Sequence, residues 1–165
     1  MSGNRSRARG ILLLLLNCCV LPSVGLRADD WPQFRGPGAS GIGESTKPLP
    51  VHVSRDEGVV WKTALPTGHS SPAIHGDRIF VTGVEGQDLV TMGLDRSSGA
   101  VLWKKSVPWD TLEKFHTTGS LAQSSPATDG NIVISFFGSS GLHAFDRDGN
   151  LLWSQRMGPF RNDFG

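Results

Sequence analysis

The chain has 165 residues, 38% of them hydrophobic and 19% charged, with 21 glycines and 10 prolines. Its first 28 residues read as an export signal, and removing them leaves 137 residues with 12 Lys and Arg against 15 Asp and Glu, a net charge near −3. That is one domain's length at most. It is too acidic for sequence-independent nucleic-acid binding, not periodic at three like collagen, and too rich in interleaved apolar runs for a disordered polymer.

Residues 1–28 carry Arg5, Arg7 and Arg9, then an apolar stretch from Ile11 to about Val24 that Asn17 interrupts. A positive start, a short apolar core and small residues at its end describe a secretory signal. The core is short of the roughly 20 apolar residues of a membrane span, so no transmembrane span is expected after cleavage. Ser23-Val24-Gly25 and Ala28 compete as the cleavage point, and the expected location is the periplasm or the extracellular space. Both cysteines, Cys18 and Cys19, fall inside this segment, so the remainder is expected to hold no disulfide and no thiolate site.

Residues 29–58 read as an extended or looped segment that opens with Asp30-Trp31-Pro32-Gln33-Phe34-Arg35-Gly36-Pro37. From Val59 to Ala64 the pattern predicts a single outer strand. Next come two copies of one unit. Ser70-Ser71-Pro72-Ala73-Ile74-His75-Gly76-Asp77 recurs as Ser124-Ser125-Pro126-Ala127-Thr128-Asp129-Gly130-Asn131, an offset of 54. Leu94-Asp95-Arg96-Ser97-Ser98-Gly99-Ala100-Val101-Leu102-Trp103 recurs as Phe145-Asp146-Arg147-Asp148-Gly149-Asn150-Leu151-Leu152-Trp153. Asp56-Glu57-Gly58-Val59-Val60-Trp61 is a degenerate third copy.

Within each copy, short β-rich runs bounded by Gly, Asp, Asn or Pro predict four strands. They lie near Ser71–Ile74, Arg78–Thr82, Leu89–Leu94 and Val101–Ser106, then near Ser125–Thr128, Ile132–Phe136, Leu142–Phe145 and Leu151–Arg156. His75-Gly76-Asp77, Asp129-Gly130-Asn131 and Asp148-Gly149 supply hairpin turns, because glycine and Asn/Asp accept positive φ. Repeated four-stranded antiparallel units of this length predict an all-β protein built of propeller blades. One blade covers 70–107 and another 124–157, with the outer strand 59–64 completing a partial propeller over 59–165. A flat meander or a sandwich is the plainer alternative.

Gly93-x-Asp95-x-x-Ser98-Gly99-x-x-x-Trp103 and Ala144-x-Asp146-x-x-Gly149-x-x-x-Trp153 resemble the tryptophan-docking motif of the pyrroloquinoline-quinone (PQQ) repeat propellers, the quinoprotein alcohol dehydrogenase-like superfamily. The family pattern is Ala-x-Asp-x-x-Thr-Gly-x-x-x-Trp. The first copy departs from it at Gly93 and Ser98, and the second is one residue shorter before its glycine. The resemblance implies an eight-bladed ring, of which this chain would be an amino-terminal fragment. It also implies structural roles for Trp61, Asp95, Gly99, Trp103, Asp146, Gly149 and Trp153. In that reading the indoles wedge between neighbouring blades, the glycines permit close approach, and the aspartates accept hydrogen bonds from turn amides.

Two functions follow from the resemblance. The first is an exported, non-catalytic binding or assembly scaffold that meets protein partners on a propeller face and carries no cofactor. The alternative is the amino-terminal part of a PQQ-dependent dehydrogenase of small alcohols or sugars, which would bring PQQ and calcium. The residues themselves offer little catalytic signal. Asp146-x-Asp148-x-Asn150 lacks the glycine and the distal glutamate of a calcium loop. The neighbours His69, Ser70 and Asp77 do not make a triad by proximity, nor do Asp110, Glu113 and His116. The connection between the copies is 12 residues longer than its counterpart before the first copy, and it contains Trp109, Asp110, Glu113, Phe115 and His116. Asp110 with Glu113 is expected to cap one helical turn. Trp109 and His116 are the candidate partner-face residues, against the plainer reading of a loop packed down by its aromatics.

Overall fold

The computed structural model describes residues 30–43, 48–110 and 113–160. The signal expected over 1–28, with Cys18 and Cys19, lies outside them.

The chain forms two four-stranded antiparallel sheets. The first is ordered β1 (Ala73–His75), β2 (Arg78–Glu85), β3 (Asp88–Asp95) and β4 (Val101–Val107). The second follows as β5 (Ala127–Thr128), β6 (Ile132–Phe136), β7 (Leu142–Asp146) and β8 (Leu151–Gln155). Each strand pairs with its sequence neighbours, so both sheets are meanders. The expected all-β fold and its two blades are present, with β1 and β5 starting two residues later than the apolar pattern implied. The reason is local: Pro72 and Pro126 supply no amide hydrogen to a ladder at the head of each unit.

The first blade is buried on both faces, which explains why β2 and β3 read as near-continuous apolar runs rather than as an alternation. Ile79, Val81, Val90, Met92 and Leu94 form one cluster, with Trp61 and Ile74 packed against it. Phe80, Leu89, Trp103 and Val107 point the other way and merge with Val133, Phe137 and Phe145 of the second blade. The Trp103 ring stands 6.0 Å from Phe80 and 5.8 Å from Phe145, centroid to centroid. Polar contacts cross the same junction. The Thr91 and Ser135 hydroxyls meet at 2.7 Å in the buried interior, the Ser71 amide donates to Ser125 Oγ at 2.9 Å, and Thr82 Oγ1 donates to the Ser124 carbonyl at 3.1 Å.

The segment after Asp30 is a strap across the inner strands. Trp31 and Ile74 exchange reciprocal backbone hydrogen bonds of 2.8 Å, and the Pro32 carbonyl accepts from the Thr128 amide at 2.9 Å. Asp30 accepts from the Gly76 amide at 2.8 Å. The strap thus ties β1 to β5. Gly36 is required for it, because φ is +69° and a Cβ there would lie 2.5 Å from the Trp31 ring.

The outer strand expected over Val59 to Ala64 is not a strand. Among the described residues this stretch makes no ladder, since no strand lies beside it to accept one. Its side chains hold it instead, as described below.

Candidate functional site

Two parts of the molecule concentrate the residues singled out by the sequence: the indole joints and the long connection between the blades.

In the first joint, β4 carries Trp103 opposite Gly93 of β3, at a point where the ladder shifts register. The indole is sandwiched. A Cβ on Gly93 would lie 2.3 Å from its Nε1 on one side, and a Cβ on Gly149 would lie 2.6 Å from Cδ2 on the other. The Nε1–H donates to the Arg147 carbonyl at 2.9 Å. At Gly93, where the family motif has alanine, the Trp103 indole lies where a methyl would stand.

The same contact occurs one unit earlier. Trp61 Nε1–H donates to the Arg96 carbonyl at 2.9 Å, and Thr63 Oγ1 donates to the Gly99 carbonyl at 2.7 Å. A Cβ on Gly99 would meet the Trp61 ring at 2.3 Å. Arg96 and Arg147 were not singled out from the sequence. A backbone acceptor leaves no residue signature, although the repeated Asp-Arg pair marks both positions.

The aspartates organise the turns that receive the indoles. Asp95 Oδ1 accepts from the hydroxyls of Ser97 and Ser98 at 2.6 and 2.8 Å and from their amides at 3.0 and 2.9 Å. Those bonds, the hydroxyls first, hold its pKa down at about 2. In the shorter second turn, Asp146 accepts from the Asn150 side chain and amide, each at 2.8 Å, and from the Asp148 amide at 2.9 Å. Its pKa is lowered too, chiefly by Asn150.

Trp153 occupies the equivalent place on β8, opposite Ala144 and beside the matching register shift. It differs in burial: Trp153 is 44% exposed, whereas Trp103 is 9% exposed. Among the described residues no turn covers it.

The helical turn expected between Asp110 and Glu113 runs through Thr111 and Leu112, which lie outside the described residues. Glu113 accepts from the Ser139 amide in the β6–β7 connection, and Asp110 pairs with Arg156 after β8. Trp109 packs against the inter-blade core, while His116 is exposed with Nδ1 2.8 Å from Thr118 Oγ1. The loop is thus packed down by its first aromatic, and the structure does not bring Trp109 and His116 together on one open surface.

The same region contains a buried histidine that the sequence reading passed over. His143 is fully buried, with Nε2 3.0 Å from Ser140 Oγ and Nδ1 3.1 Å from Ser154 Oγ. Ser140 donates its hydroxyl proton to the Pro108 carbonyl at 2.7 Å. Ser140 must then accept from Nε2–H, and Ser154 must donate to Nδ1. Burial lowers the histidine's pKa and keeps the ring neutral. A serine whose proton is committed to a carbonyl is no nucleophile. The chain of bonds instead fastens the connection to the second blade.

The Trp103 indole is enclosed by its own chain, and among the described residues no three His, Cys, Asp or Glu side chains converge.

No curated protein matches the chain. The family described as outer membrane protein assembly factor BamB, a PQQ repeat, matches residues 50–163, which include both blades and all three tryptophan positions, and the chain belongs to that family.

Proposed function

We propose that the chain is an exported, non-catalytic PQQ-repeat scaffold that holds protein partners during assembly at the outer membrane, in the periplasm or outside the cell. The observation that carries this reading is the enclosure of Trp103 between Gly93 and Gly149. The motif tryptophan is spent on joining one blade to the next, so the chemistry of the repeat is adhesion rather than cofactor binding. The family's description as an outer membrane assembly factor supports a role in contact with other proteins. The polar groups of Ser140, His143 and Glu113 serve the same end, since each is bonded within the chain.

The test has two arms. Cells lacking the protein should show lowered steady levels of outer-membrane barrel proteins, and unchanged levels would sink the scaffold reading. Purified protein mixed with PQQ and calcium should show neither heat of binding nor dye-linked alcohol oxidation. Turnover in that assay would instead establish the dehydrogenase alternative.

A further inference from the structure

Ser154, His143 and Ser140 form a line of hydrogen bonds that ends on the Pro108 carbonyl, where the connection leaves β4. Ser140 and His143 are buried, while Pro108 is exposed between Val107 and Trp109, which both pack into the core between the blades. Every member of the line belongs to the two blades or to the connection between them, so the network is complete within residues 108–154.

The direction of each bond follows from that end. The Pro108 carbonyl only accepts, so Ser140 donates to it, Nε2–H donates to Ser140, and Nδ1 accepts from Ser154. A ring that takes up a proton carries a donor on both nitrogens, and the Ser154 bond then survives only if that hydroxyl turns round. The Phe137 ring stands 6.2 Å away, centroid to centroid. The charged groups on the elements packed around the ring are Lys104 and Lys105 of β4, Asp110 and Glu113 of the connection, Asp146 of β7 and Arg156 after β8. Lys104 pairs with Glu85 and Lys105 is exposed, Asp110 pairs with Arg156, Glu113 holds the Ser139 amide, and Asp146 binds its own turn. Among the described residues no carboxylate bonds the ring. A buried cation without a counter-ion is costly, and opening the site to water relieves that cost.

We propose that this line is an acid-released latch: when His143 takes up a proton, Pro108 and Trp109 come away from the second blade while the sheets stay paired. Burial lowers the pKa of the closed ring. The opened form, with an ordinary histidine, takes up the proton first, so opening grows as the pH falls below about 6.5. The latch stands without the scaffold reading; only its consequence, a partner face that loosens in acid, rests on it.

Hydrogen exchange of the full exported protein between pH 7.5 and 5.5, corrected for the intrinsic exchange rate at each pH, tests the latch without partner or cofactor. Opening of residues 106–110 and 137–143 should rise by up to about tenfold per pH unit below about 6.5, and at every pH it should exceed opening of the β2 and β3 amides. His143→Gln, which keeps a polar side chain but takes up no proton, should remove that rise. Ser140→Ala, which keeps the ring but cuts its tie to Pro108, should leave residues 106–110 open at both ends of the pH range. Flat opening in the wild type, opening equal to that of β2 and β3, or a rise that persists in His143→Gln or at 106–110 in Ser140→Ala would each overturn the proposal. Unchanged levels of outer-membrane barrel proteins in cells lacking the protein would sink the scaffold reading alone and leave the latch standing.

Discussion

The indole of Trp103 and the backbone of Gly149 touch so closely that the joint between the blades has no room for a single extra carbon. A Cβ on Gly149 would lie 2.6 Å from the ring, and its φ is +85°. A large apolar area leaves water there, at about 25 cal/mol per Å², and the only polar atom of the indole is satisfied by the Arg147 carbonyl.

Gly149→Ala should therefore lower stability by about 2–4 kcal/mol, combining left-handed strain with an overpacked contact. Gly86→Ala is the control. Gly86 has φ +64° but nothing within 4 Å of its added Cβ, so only the strain, about 1 kcal/mol, should appear. Urea unfolding of the two variants against wild type separates the terms. Equal losses would show that packing at Trp103 adds nothing.

Asp95 carries a pH dependence of known sign. Its folded pKa of about 2 lies below the ordinary carboxylate value, so its contribution is present above about pH 4 and is lost as the pH falls from about 4 toward 2. Asp95→Asn should be less stable at neutral pH and should show a shallower fall over that window. Stability measured by chemical unfolding at several pH values checks both features.

His143 acts in the other direction of charge but with the same sense in pH. Its pKa is lowered by burial, so the unfolded chain takes up the proton first, and stability falls as the pH drops below about 6.5. His143→Ala should cost about 2–4 kcal/mol at pH 7.5, from the cavity and from the lost bonds to Ser140 and Ser154. The variant should lack the loss that wild type shows between pH 7.5 and 5.5.

The connection between the blades offers a paired test. Trp109→Ala should lower stability by about 1–3 kcal/mol, because the ring packs on the inter-blade core. His116→Ala should change it by less than about 0.5 kcal/mol, as the ring is exposed and, among the described residues, bonds Thr118 two positions on. Thermal melts of both variants decide the matter. A silent Trp109→Ala would return that residue to the set of candidate partner contacts.

Two copies of one strand–turn pattern made the blades legible from residues alone. Short apolar runs, Gly-Asp and Asp-Gly turns and a tryptophan four residues past a glycine are local signals, and local chemistry encodes them directly. The departure at Gly93 was also visible in the sequence, although the indole packed against it was not.

Tertiary structure decided what each signal is for. Residues 59–64 have strand composition but no strand, because a ladder is a property of two segments and the indole holds this one alone. Asp110 and Glu113 bind Arg156 and the Ser139 amide, partners distant in sequence, since a carboxylate binds whichever donors the fold brings within reach. His143, Arg96 and Arg147 gain their roles from bonds to partners 3 to 44 residues away in sequence. Trp103 and Trp153 stand at matching positions in the repeat, yet one is enclosed and the other open, because burial depends on what packs against a residue and not on the residue itself.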